Sequence, residues 1–204
     1  RFNIEKKPGS NRHMTTTADG LHIVKTKGDL QITNCLLEGT HDDAVNINHG
    51  IYMIVDKVSP GFISLKAIGN VDAEVNKGDV FHIYDGEFRV ACEIVVEHAA
   101  IHDGYFDIWT NSDLSAVQLK MRGLRVSNST KVLFKNNIIR NKRSRGILLQ
   151  VADALIENCS FINVMHDSVS IFSEQEVTLE ARLPKNVTVR YCKFINNEHI
   201  SIRT

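Results

Sequence analysis

The side chains best suited to chemistry are carboxylates in two motifs about one structural period apart. Asp19-Gly20 comes first and Asp42-Asp43 follows, with Asp19 lying 23 residues before Asp42. Arg143-Ser144-Arg145 and His166-Asp167 occur farther on. Paired carboxyls suit general acid/base chemistry. Inverting cleavage of a glycosidic bond needs one protonated carboxyl to feed the leaving oxygen and one ionised carboxyl, roughly 6.5–9.5 Å away, to activate water. Adjacent carboxylates repel, which raises the pKa of one and keeps it protonated as the acid. Asp is equally at home in tight turns. Spacing alone therefore leaves two readings open, a catalytic group and a plain polar turn.

A repeat places these residues. Segments beginning at Asp29 (DLQITNCLLEGTHDDAVNI), Lys131 (KVLFKNNIIRNKRSRGILL), Asp153 (DALIENCSFINVMHDSVSI) and Asn186 (NVTVRYCKFINNEHISI) share one pattern, the fourth copy reading one residue shorter near its end. Each runs strand, Asn or Cys bend, short apolar strand, polar turn, apolar strand. Lys131 and Asp153 are 22 residues apart. That period predicts an all-β fold, a right-handed parallel β-helix. Cys35, Asn137, Cys159 and Cys192 occupy equivalent corners and should stack inside as small buried groups, with a Cys159–Cys192 bridge left open. Stacking at roughly 4.8 Å per coil aligns Asp42 and Asp43 with Ser144 and Arg145 and with His166 and Asp167. Asp19 sits at the same level one coil earlier. Strand alternation puts His22 on the face opposite Asp19, a structural place.

The repeat is interrupted. Between Asn48 and Asn128 short alternating runs appear (Ile51–Val55, Phe62–Ala67, Val80–Tyr84, Phe88–Val96, Val117–Arg125), separated by turn signals such as Ser59-Pro60-Gly61 and Asp85-Gly86. Five or six strands at this spacing predict a small antiparallel β-barrel inserted into the helix. The expected organisation is β-helix over residues 1–49, insert over 50–128, and β-helix again over 129–204. Trp109, the single tryptophan, is expected in the barrel core, with a sugar-stacking role as the alternative. Only Glu174–Ala181 looks helical, and it is short.

Bulk properties remove whole classes. The 204 residues carry 24 Lys and Arg against 24 Asp and Glu, so no net charge recruits nucleic acid or an anionic membrane surface. No stretch approaches the roughly 18 apolar residues of a membrane span. No His, Cys or Asp set has zinc spacing and no EF-type loop occurs, so neither metal nor other cofactor is expected. The chain starts at Arg1 without methionine and ends in a strand-like run, as a fragment of a longer protein would.

The motifs Thr17-Ala18-Asp19-Gly20-Leu21-His22, Lys27-Gly28-Asp29, Asn34-Cys35, Glu38-Gly39 and His41-Asp42-Asp43-Ala44-Val45-Asn46 resemble those of glycoside hydrolase family 110, and Arg143-Ser144-Arg145-Gly146-Ile147-Leu148 resembles a later motif of that family. The resemblance covers most of the chain. It implies an exo-acting, inverting α-1,3-galactosidase built as a β-helix with a barrel inserted after the Asp-Asp motif. It also implies Asp42 as the general acid and Asp19 and Asp43 as the groups that position and deprotonate water, leaving open which is the dominant base. Arg145 or Arg143 would hold sugar hydroxyls, and His49 would reach the cleft or serve the strand end. The repeat, by aligning His166 and Asp167 with the Asp pair, leaves them as cleft-lining groups or a plain polar turn. The partner would be an oligosaccharide or polysaccharide ending in α-galactose, met outside the cell or in the periplasm. Two departures stand out: Asn46-Ile47-Asn48-His49-Gly50 is one residue longer than the family's Asn-Val-His-Gly, and Phe172-Ser173-Glu174-Gln175-Glu176 lacks the aromatic residue expected near the sugar. A polygalacturonase-type enzyme would carry Gly-His-Gly in the next coil and Arg-x-Lys beyond it; here the insert replaces the coil after Asp-Asp. A polysaccharide lyase would need calcium or a Lys/Arg base cluster. A non-catalytic adhesin or carbohydrate-binding β-helix is the rival from another class.

Overall fold

The structure, a computed structural model, describes residues 1–24, 26, 28–48, 50, 51, 53–67, 74–127, 130–172, 180, 181 and 184–204. The chain divides into two compact units, one of Arg1–His49, Ser129–Glu174 and Arg182–Thr204, the other of Gly50–Asn128 and Gln175–Ala181. His49, one of the predicted sugar contacts, lies outside the described residues, as does most of the helix-like stretch; its last two residues form the strand Glu180–Ala181.

The first unit is a solenoid of three parallel sheets. One stacks Leu30–Thr33, Lys131–Lys135, Asp153–Glu157 and Asn186–Arg190. A second stacks Asn3–Ile4, Leu36–Glu38, Ile138–Lys142, Ser160–Val164 and Lys193–Ile195. The third stacks Leu21–Val24, Val45–Asn48, Ile147–Gln150, Val169–Ile171 and Ile202–Arg203. Its register runs Leu21, Val45, Ile147, Val169, Ile202. The repeat read from the sequence is therefore the pairing register, with two corrections. Asp19 stands opposite Asp43 rather than Asp42. The fourth copy is not shortened, because Ile202 pairs with Val169, and Ile200 is an apolar residue in the turn, 59% exposed.

Bends come from asparagine. Asn34, Asn136 and Asn158 at one corner, and Asn141, Asn163 and Asn196 at the next, all have φ between 51° and 55°. Asn tolerates this left-handed region better than other non-glycine residues. The chain then turns inward, and Cys35, Asn137 and Cys159 are buried while Cys192 is half-buried. All four cysteines are free, so the Cys159–Cys192 bridge is not formed. Leu37, Ile47, Phe134, Ile139, Ile147, Ile156 and Phe161 fill the interior with these corners.

The second unit is an antiparallel sheet in the order Val90–Val95, Val80–Tyr84, Arg122–Arg125, Met53–Ser59, Phe62–Ala67, Tyr105–Trp109, His98–His102. Its two edge strands are consecutive in the chain, so one bent run from Val90 to His102 borders both sides. Phe81, Phe106, Ile63, Leu65, Ile83, Ile94 and Ile108 form its core. The hairpin His98–Trp109 exceeds the strands expected there, although Asp103-Gly104 with φ of 48° and 79° is a strong hairpin signal. Trp109 does not pack in the core as expected. It is 39% exposed, 5.3 Å from the Phe62 ring and 5.0 Å from that of His98, because its strand neighbour Ile108 takes the inward place.

Candidate active site

The carboxylates sit in the turns that lead into the third sheet, and the backbone ladder continues through those turns. Gly20 N–H donates to Asp43 O at 2.9 Å, Ala44 N–H to Arg145 O at 3.1 Å and Gly146 N–H to Asp167 O at 2.9 Å. Such close stacking requires glycine at Gly146, where a Cβ would lie 2.2 Å from Ser168 O. The stacked turn positions are Asp19, Asp43, Arg145 and Asp167.

Asp43 is 1% exposed and bound side-on to Arg145, its Oδ1 accepting from Nε at 2.8 Å and its Oδ2 from Nη2 at 3.1 Å. The Asp43 N–H donates to Asp19 Oδ1 at 3.0 Å. Asp42 is exposed, and its Oδ1 accepts from the Ser144 hydroxyl at 3.3 Å. One oxygen from each of the three carboxylates can be chosen so that all lie within 4.8 Å of one another. Burial, more than charge repulsion, raises two of the three carboxyls. It pushes Asp43 up to about 6 against the opposing pull of Arg145, and it raises Asp19, with the Asp42 charge adding to the effect. The expected repulsion comes second, and the two carboxyls raised are those expected to handle the water. Three carboxylates this close can gather round a cation, yet both Asp43 oxygens are taken by Arg145. The group falls short of the six to eight oxygens of a calcium site, and we assign no metal to it.

Of the predicted sugar contacts, Arg145 is on the carboxylates and Arg143 is exposed. Arg143 lines a groove of about 670 Å³ with Thr40, Asn141, Lys142, Asn163 and Met165. His166 occupies the stack position of Asp42 two coils on. Its Nδ1 accepts from the Asp167 N–H at 2.9 Å, and its ring stacks on His199 at 4.9 Å between centroids. His22 departs from expectation: its Nδ1 lies 3.4 Å from Asp19 Oδ2, on the same side. Asp19 belongs to the turn, so strand alternation does not run through it.

A family model described as "Right handed beta helix region" matches residues 19–204. The chain belongs to that family. This β-helix is similar to proteins named alpha-1,3-galactosidase. The B form from Parabacteroides distasonis is 26% identical over 91% of this chain and 33% of the relative. The A form from Bacteroides thetaiotaomicron is 24% identical over 96% of this chain and 36% of the relative. A B form from Phocaeicola vulgatus is 26% identical, with 91% and 34% covered. The chain thus spans about a third of the length of these relatives.

Sequence reading missed three polar residues of this β-helix. Lys142 is 3% exposed and donates from Nζ to Thr40 Oγ1 at 2.9 Å and to the Asp42 carbonyl oxygen. Burial lowers its pKa to about 8, with Asp43, Asp42 and Asp19 pulling it back up. Asn46 and Asn48 follow the Asp pair on the strand Val45–Asn48. Both are buried, and the side-chain oxygen of each has no hydrogen-bond partner among the described residues. The available signal was polarity inside a motif, since Asn46 and Asn48 alternate with the core residues Val45 and Ile47.

Proposed function

We propose that this chain is the β-helix portion of an inverting exo-glycosidase that removes terminal α-1,3-linked galactose from a glycan. The observation that carries the reading is the convergence of Asp19, Asp42 and Asp43 from two coils, one exposed and two raised, with Arg145 clamped against them. The relatives' names supply the sugar. Asp42, the exposed member, donates its proton to the glycosidic oxygen as the bond to the anomeric carbon breaks. Asp19 takes a proton from the water that attacks that carbon from the opposite face, and β-galactose leaves with the shortened glycan. Asp19 is favoured as base over Asp43, whose two oxygens both face Arg145. Asn46 and Asn48 offer amide oxygens to sugar hydroxyls, since buried polar atoms ordinarily find partners. The spacing of the nearest oxygens, within 4.8 Å, is shorter than the usual separation of roughly 6.5–9.5 Å between carboxyl groups in inverting enzymes. Attack from the opposite face puts the anomeric carbon and the water between Asp42 and Asp19, so the reading requires these two carboxyls to turn apart when the sugar enters.

The test is hydrolysis of an aryl α-galactoside and of an α-1,3-galactosyl oligosaccharide by the full-length protein, with the first-formed anomer read by proton NMR. β-Galactose supports the proposal. α-Galactose overturns inversion, and sugar binding without turnover favours a carbohydrate-binding β-helix, a rival to which the short spacing lends weight. An enzyme of this kind meets its glycan outside the cytoplasm, so export belongs to the proposal; an N-terminal sequence of the mature, cell-derived protein tests it.

A further inference from the structure

Lys142 is the one charged side chain at a rung that Thr40 fills on the coil before, Val164 on the coil after and Asn197 beyond. Asn141 turns the chain inward with φ of 51°, as Asn163 does one coil later with φ of 54°. Lys142 pairs with Val164, which is fully buried. On the preceding coil the ammonium meets Thr40, itself 1% exposed. An interior rung that a valine fills next door has no packing need for lysine, and burying an ammonium is costly unless charge compensates it. The compensation is one-sided. The carboxyls that act on it are Asp43, Asp42 and Asp19, and the cation beside it is Arg145.

The surrounding charges are otherwise engaged. Arg140, on the same strand, pairs with Glu38 at 3.2 Å, Arg143 is exposed, and His41 Nδ1 lies 3.2 Å from Thr17 O. Asp167 lies 3.5 Å from Arg203 and 3.7 Å from His166, whereas His22, its Nδ1 3.4 Å from Asp19 Oδ2, faces the group itself and adds a cation only when protonated. With His22 neutral, what remains is three carboxyls facing two cations, Arg145 and Lys142. That group is electrically neutral with two carboxyls ionised and one protonated, the state from which an acid and a base act together. With Arg145 alone, neutrality leaves one ionised carboxyl, the Asp43 that Arg145 holds, and Asp19 is then protonated and cannot act as the base.

We propose that Lys142 is a positioning residue whose buried ammonium sets the number of protons held by Asp19, Asp42 and Asp43 and holds the Asp42 turn through its carbonyl. The role rests on the acid/base reading of the site, and its first readout does not depend on turnover. In full-length protein labelled with carboxyl-¹³C aspartate, Lys142→Met should raise the carboxyl midpoints of Asp19 and Asp43 by about one unit or more. Lys142→Arg, which keeps its charge at any accessible pH, should leave them near wild type. In the aryl α-galactoside assay the acid limb of kcat/KM should move up with the midpoints in Lys142→Met and stay in place in Lys142→Arg. A folded Met variant with unmoved midpoints, or one whose rate falls by the same factor at every pH, overturns the proposal. If the Met variant does not fold, the Arg variant decides, since midpoints shifted by about one unit or more overturn it and unmoved ones support it. Shifted midpoints in a protein that hydrolyses nothing leave Lys142 in its role and sink the galactosidase reading instead.

Discussion

Two stacks of equivalent positions run along the same solenoid, and they differ in kind. The corner stack of Cys35, Asn137, Cys159 and Cys192 repeats small, neutral, inward-facing groups that close on the backbone. Asn137 accepts from the Cys35 N–H and donates to Ile32 O, both at 2.8 Å, and the Cys159 thiol donates to Glu157 O at 3.3 Å. The turn stack of Asp19, Asp43, Arg145 and Asp167 runs acid, acid, base, acid, with the Asp43 N–H donated to the Asp19 carboxylate and the Asp43 side chain bound to that of Arg145. A position that keeps its chemistry in every coil answers a need of the repeat. A position that changes chemistry while the backbone stays constant answers something else, and here that is the candidate site.

The largest effect that would break this distinction concerns rate. Asp42→Asn should lower hydrolysis by about 10²–10⁴-fold, the range of a general acid. Its thermal melting should stay close to wild type, because Asp42 is exposed; a large fall in melting temperature would make the turn structural after all. The converse change is Asn137→Leu. It leaves a buried N–H and a buried carbonyl without partners and should cost roughly 2–4 kcal/mol in urea unfolding, while kcat per folded molecule is kept.

A pH series sharpens the contrast. Asp43 has a folded-state pKa of about 6, above its unfolded value, so the folded chain binds the extra proton between the two. Stability should therefore fall as pH rises from about 4 to about 6, by roughly 2–3 kcal/mol, and level off above. Asp43→Asn should flatten that slope. Cys159 of the corner stack is silent in this window, since burial pushes its thiol up to about 12. The smallest change is Cys159→Ala, expected to cost about 1–2 kcal/mol by cavity formation with an unchanged pH slope. A slope altered by Cys159→Ala would merge the two stacks into one network.

Much of this was legible in the residue order. Asn-rich bends and apolar triplets recurring at one period specify coils, and coils specify which turns stack. The alignment of Asp43 with Arg145 and Asp167 followed from that alone. Lys142 escaped because its inward direction depends on the positive φ of Asn141, which reverses the face an alternating pattern assigns. His22 was misplaced for a related reason, the turn at Asp19 breaking the alternation. Trp109 was misjudged because an aromatic residue in a strand suits either face until its partners are known.

By itself, then, the sequence determined the solenoid, its interruption and the three acidic residues, since these rest on local periodicity and on chain distance between repeats. Only the tertiary structure decided that Asp43 closes on Arg145 while Asp42 remains open to solvent, and that a lysine lies buried behind both. Burial and pairing depend on atoms contributed by coils about a hundred residues apart, and the balance of desolvation against charge that sets each proton exists only once those coils are stacked.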